Sequence, residues 1–121
     1  MTTEQGNKLI AEFDDGEFDG REWVFVGQQY KELKYHSSWD WLMPVVEKIE
    51  SLNDLIVNKV WISINGRECG LWTYFDVKEV LRIGTENNKF KVKNTSKTKI
   101  ESTWQTVIDF IEWYNKNNPN G

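Results

Sequence analysis

The chain carries one cysteine, Cys69, and one histidine, His36, and these two residues bound the nucleophilic chemistry open to it. A side-chain nucleophile needs a base beside it, and that base is usually a histidine. Cys69 falls on the apolar side of an alternating run, where a thiol acts as a small hydrophobe. His36 adjoins Ser37 and Ser38 at a helix start and reads as a local hydrogen-bonding residue. There is no G-x-S-x-G turn, no phosphate-cradling glycine loop and no H-E-x-x-H pair. Carboxylate-only hydrolysis needs two acids paired in space, which spacing along the chain does not define. Asp15-Gly-Glu17-Phe-Asp19-Gly20 imitates the first half of a calcium loop, but its twelfth position is Val26 where a bidentate Glu is required. The expectation is a protein that is not an enzyme and uses neither a metal nor another cofactor.

Binding chemistry is better represented. Six carboxylates, Glu12, Asp14, Asp15, Glu17, Asp19 and Glu22, face a single Arg21 in one stretch. Lys89, Lys91, Lys93, Lys97 and Lys99 form an acid-free run in another. Opposite potentials of this kind steer charged partners, although solvated loops and strand edges account for such runs as well. In Lys89-Phe90-Lys91-Val92-Lys93 the alternation sets ammonium groups in a row on one strand face. Beside an aromatic such a row can grip a single strand, and on an edge strand it equally prevents aggregation. The chain also holds seven tryptophans, more than a core of this size readily buries. Trp61, Trp72 and Trp113 fall off the expected core faces. The candidate partner-binding residues are therefore Trp61, Trp72, Trp113, Lys89, Phe90, Lys91, Lys93, Asp14, Asp15, Glu17 and Asp19.

The elements that must position them follow from periodicity. Residues 8–13 (KLIAEF) and 21–26 (REWVFV) read as short strands joined by the acidic loop, and residues 30–35 (YKELKY) as a weaker one. Ser37 and Ser38 offer an N-cap for a helix over 39–52, whose apolar residues span an arc of about 160°. Pro44 either kinks that helix or stands at the first position of a shorter one. The strongest local signal is a hairpin: residues 59–64 alternate, Asn65-Gly66 is a preferred turn, and residues 67–75 return. Closure there pairs Ile64 with Arg67, Ile62 with Cys69 and Val60 with Leu71, and sets Trp61 across from Gly70. Residues 79–83 and 89–93 form a further hairpin around Glu86-Asn87-Asn88. Thr98-Lys-Ile-Glu101 is a capping box opening a helix over 99–115, and residues 115–121 (NKNNPNG) read as a frayed end. The fold class is α+β, an antiparallel sheet with two amphipathic helices packed against it.

A length of 121 residues with 39% hydrophobic and 28% charged residues fits one globular domain spanning 1–121. No apolar run reaches the roughly 18 residues of a membrane helix. The first residues lack the basic-then-apolar pattern of a secretory signal, and a lone cysteine suits a reducing compartment, so the expected location is cytoplasm.

Residues 35–51 (YHSSWDWLMPVVEKIES) and 99–116 (KIESTWQTVIDFIEWYNK), with residues 9–14 (LIAEFD), resemble small uncharacterised proteins encoded by phages and prophages. The likeness covers both ends and the central hairpin but not residues 76–97, and it carries no catalytic signature. It implies an accessory protein that binds and disables host machinery, such as an RNA-guided nuclease of the anti-CRISPR target class. The implied partner is a host protein or protein–RNA complex, with local RNA contact through residues 89–99 and no membrane. Two other readings stand beside it: a protein that sequesters a nucleotide-like signal, and an RNA-binding accessory protein.

Overall fold

The computed structural model describes residues 2–14, 33–52, 57, 59–74 and 90–117. They form helix α1 (Thr3–Asp14), helix α2 (Trp39–Glu50), strands β1 (Lys59–Asn65), β2 (Glu68–Tyr74) and β3 (Lys91–Thr95), and helix α3 (Lys99–Asn117). The strands make an antiparallel sheet in the order β1-β2-β3. Helix α3 packs across β2 and β3, α2 packs against β1, and α1 rests on both of those helices. The class is α+β, as the periodicity predicts, with one helix more than expected.

That extra helix corrects the strand expected over residues 8–13. Its buried residues are Gly6, Asn7, Ile10 and Ala11, a helical spacing whose first two members are not hydrophobic. Its start is a reciprocal capping box. The Gln5 amide donates to Thr2 Oγ1 at 3.1 Å, and the Thr2 amide donates to Gln5 Oε1 at 2.9 Å. At the other end, Lys48 Nζ on α2 donates to the carbonyls of Phe13 (2.9 Å) and Asp14 (2.7 Å). A cation there satisfies orphan carbonyls at the negative end of the helix dipole.

Residues 33–35 are likewise not a strand; Tyr35 to Ser37 turn, and Ser38 takes the N-cap position of α2 with extended dihedrals and no side-chain cap bond. Pro44 lies inside a single α2, on its exposed side, while Leu42, Val45, Val46 and Ile49 face the core. Helix α3 begins where expected, with the Glu101 amide bonded to Thr98 Oγ1 at 3.2 Å, and runs to Asn117, two residues beyond the predicted end. The strands expected over 21–26 and 79–83 lie outside the described residues.

Helix α3 approaches the sheet through small hydroxyls. Ser102, Thr103 and Thr106 are buried, Ser102 Oγ donates to the Arg67 carbonyl, and Thr106 Oγ1 lies 3.2 Å from the Cys69 carbonyl. Asn94 of β3 donates to Thr106 Oγ1 and to Asp109 Oδ2, both at 3.0 Å. Below this polar seam lies the core, built from Ile10, Leu42, Val45, Ile49, Leu71, Ile108, Phe110 and Ile111 among others.

Helices α1 and α3 meet closely at Gly6. A Cβ at this position would stand 2.5 Å from Trp104 Cζ2 and 2.6 Å from Ile108 Cδ1. Replacing an interior helical glycine by alanine ordinarily stabilises by up to about 1 kcal/mol. Here Gly6→Ala is expected to destabilise instead, by about 1–3 kcal/mol net, because the packed neighbours must move. Urea midpoints of the two proteins decide the sign.

Candidate functional site

The hairpin register creates the site. Observed pairs are Asn65 with Glu68, Ile64 with Cys69, Ile62 with Leu71, Trp61 with Trp72 and Val60 with Thr73. The expected closure was therefore displaced by two residues on the returning strand. The cause is the turn: Gly66 and Arg67 are its central residues, and only Gly66 has positive φ, at 61°. Positive φ at the first central residue alone is the type II′ pattern; a turn centred on Asn65-Gly66 would need it at Asn65, which does not have it. A shift of two leaves the inward and outward faces unchanged, because side chains alternate with period two. It does change who sits opposite Trp61.

On the inner face Val60, Ile62, Leu71 and Val92 join the core. On the outer face Trp61 and Trp72 face each other across the strands, with ring centroids 6.1 Å apart and planes 26° from parallel. They are 54% and 37% exposed, and Tyr74 beside them is 40% exposed. The register continues the line of Trp61 and Trp72 onto Lys91 of β3, and pairs Gly70 with Lys93. Lys59 stands opposite Tyr74 at the far end of β1. Gly70 was expected to be covered by Trp61; it is Trp72 that leans over it, and a Cβ there would meet Trp72 Cζ3 at 3.2 Å. The missing side chain thus lets an indole lie down along the sheet. The outer-face carboxylate Glu68 pairs with Lys93 at 3.2 Å, with both side chains about half exposed or more, so it is a weak, solvent-screened contact.

Of the residues singled out from the sequence, Trp61, Trp72, Lys91 and Lys93 come together here, and Tyr74 and Lys59 complete the face. Phe90 and Trp113 do not belong to it. They stack on each other at 5.0 Å and 26°, half-buried against Phe110. Asp14 closes α1, where its carboxylate accepts from the Tyr35 hydroxyl at 3.4 Å. Lys89, Asp15, Glu17 and Asp19 lie outside the described residues, as does the calcium-like loop. Lys59 is not among the residues singled out from the sequence; it and Tyr74 follow from extending the outward alternation of residues 61 and 72 by one step.

Cys69 and His36 are both engaged within the fold. Cys69 is buried, and burial pushes its thiol upward, against the opposing pull of hydrogen bonds with Thr106 and Thr103. A raised thiol is a poor nucleophile. His36 Nδ1 lies 2.8 Å from Asn7 Nδ2 and is occupied as an acceptor. Among the described residues no group of three or more His, Cys, Asp and Glu is placed to hold a metal ion. No helix of the described residues is long and apolar enough to cross a membrane.

Comparison with protein-family models, with curated proteins and with solved structures returned no match.

Proposed function

We propose that this chain is a non-enzymatic binding protein of the phage type, which disables a nucleic-acid-handling defence complex in the host cytoplasm, an RNA-guided nuclease being the leading case. The outer sheet face is its working surface. The observation that carries the reading is the exposed Trp61–Trp72 pair. Exposed aromatic side chains gathered in one place normally mark an interface, and tryptophan is among the residues enriched at the few positions that carry most of the binding energy. The target class comes from the resemblance of the two helical segments to phage-encoded proteins, and the surface comes from the register.

The test is a cleavage assay with purified RNA-guided nucleases titrated with the whole protein. Cleavage is expected to fall near a one-to-one ratio for a susceptible nuclease. Trp61→Ala, at an exposed position, should raise the inhibitory concentration about thirtyfold, equivalent to about 2 kcal/mol, without changing the melting temperature. Full cleavage by every nuclease at tenfold excess of inhibitor removes the proposed target class. The stacked pair also favours planar ligands, which keeps a second reading in view: a nucleotide recovered from heat-treated purified protein would mark a sequestering protein.

A further inference from the structure

We propose that the outer face of the sheet binds single-stranded nucleic acid directly, with bases stacking on Trp61 and Trp72 and backbone phosphates lying over Lys91 and Lys93. This rests on the outer face being the working surface and names the ligand it takes.

Three features favour a nucleic-acid strand over a protein partner. The aromatic groups of this face, Trp61, Trp72 and Tyr74, are flat rings, and among the described residues Val60, Ile62, Leu71 and Val92 alternate to the inner face instead. Stacking platforms for bases need only accessible π-faces, which these rings provide. Charge is the second feature. Lys59, Lys91 and Lys93 are exposed around those rings against one carboxylate, Glu68, whose contact with Lys93 is weak and open to solvent, so the described face keeps a surplus of positive charge. The chain as a whole is acidic, with a net charge of −4, so a locally basic face is where a polyanion is best received.

The third feature is order. Trp61, Trp72 and Lys91 lie in one register line across the three strands, and Gly70 and Lys93 lie in the next. A strand crossing β2 therefore meets an indole, which lies down over Gly70, and then an ammonium group beside it. A duplex presents its phosphates but not its base faces, and so can use only half of this arrangement. Neither stacking nor phosphate contact uses the ribose 2′-hydroxyl, so RNA and DNA single strands share the recognising chemistry.

The experiment is fluorescence anisotropy of labelled RNA and DNA single strands of about ten nucleotides, with the matching duplex as comparison, against the whole protein. Both single strands are expected to bind, and the duplex at least about tenfold more weakly. Trp61→Ala and Trp72→Ala should each weaken single-strand binding by about tenfold or more, while Trp61→Phe and Trp72→Phe, which keep a stacking ring, hold it within a few-fold. Replacing Lys91 and Lys93 together by Gln should flatten the dependence of log affinity on log salt by about 1.4, from about 0.7 per phosphate contact. Absence of single-strand binding overturns the proposal, as does equal binding by the duplex or by the alanine variants. If nuclease inhibition then persists and still needs Trp61, the face takes protein and the proposed function stands. If inhibition is absent as well, both readings fail.

Discussion

Ile111→Asp is expected to yield no folded protein at physiological temperature. Ile111 is 0% exposed, on the side of α3 that closes the core, with Phe110, Ile108 and Val107 as neighbours along the helix. The substitution removes a branched aliphatic group from a close-packed site and inserts a carboxylate among hydrophobic side chains. Burying an uncompensated charge costs about 3–5 kcal/mol, and the lost packing adds to that. Total stabilities of small domains are only about 5–15 kcal/mol. Ile111→Val, which removes one methylene, should cost only about 1 kcal/mol and keep a cooperative urea transition. Val60→Asp and Ile62→Asp are milder, because both positions are half-buried on β1 and their carboxylates can reach water. A near-native melting temperature for Ile111→Asp would mean that α3 does not pack on the sheet as described.

The second large effect is expected at Asn7, a polar residue that is 2% exposed. Its Nδ2 donates to the Leu33 carbonyl at 3.0 Å and meets His36 Nδ1 at 2.8 Å, while its Oδ1 accepts from Trp104 Nε1 at 2.8 Å. The indole can only donate and the carbonyl can only accept, so the orientation of the amide is settled, and His36 must offer a lone pair at Nδ1. One side chain thus ties α1 to the segment before α2 and to α3. Asn7→Leu is close in size but leaves the indole N–H and the Leu33 carbonyl without this partner. Each buried group orphaned in this way costs about 1–3 kcal/mol. We expect a loss of about 3 kcal/mol, read as a lower urea midpoint with an unchanged slope. Trp104→Phe should then cost less in the Asn7→Leu background than in the wild type. Strict additivity of the two would show that the bond contributes nothing.

Much of the frame was legible locally. The capping box at Thr98 and the alternation of residues 59–64 each act within a few residues, and α3 and β1 lie where those signals put them. Thr2-Thr-Glu-Gln5 carries the same kind of box at the start of α1, but no continuous apolar stripe follows it to mark a helix. The buried face of α1 includes Gly6 and Asn7, and that of α3 includes Ser102, Thr103 and Thr106. An apolar stripe therefore describes only part of either helix. Polar residues are buried where a partner across the core satisfies them, and such partners lie far off in sequence: Asn7 and Trp104 are 97 residues apart.

For the candidate site, alternation by itself determined that Trp61 and Trp72 point away from the apolar side of the hairpin, because faces survive any even shift of register. Three things waited for the tertiary structure. The turn dihedrals at Gly66 and Arg67 chose the register that brings Trp61 opposite Trp72. The pairing of β2 with β3 delivered Lys91 and Lys93 to the same face from a distant part of the chain. And the packing of α2 and α3 against the inner face left the outer indoles exposed, while Phe90 and Trp113, equally aromatic in sequence, were drawn onto Phe110. Whether an aromatic ring is core or contact depends on what lies over it, and that is a property of packing, which no local pattern of residues contains.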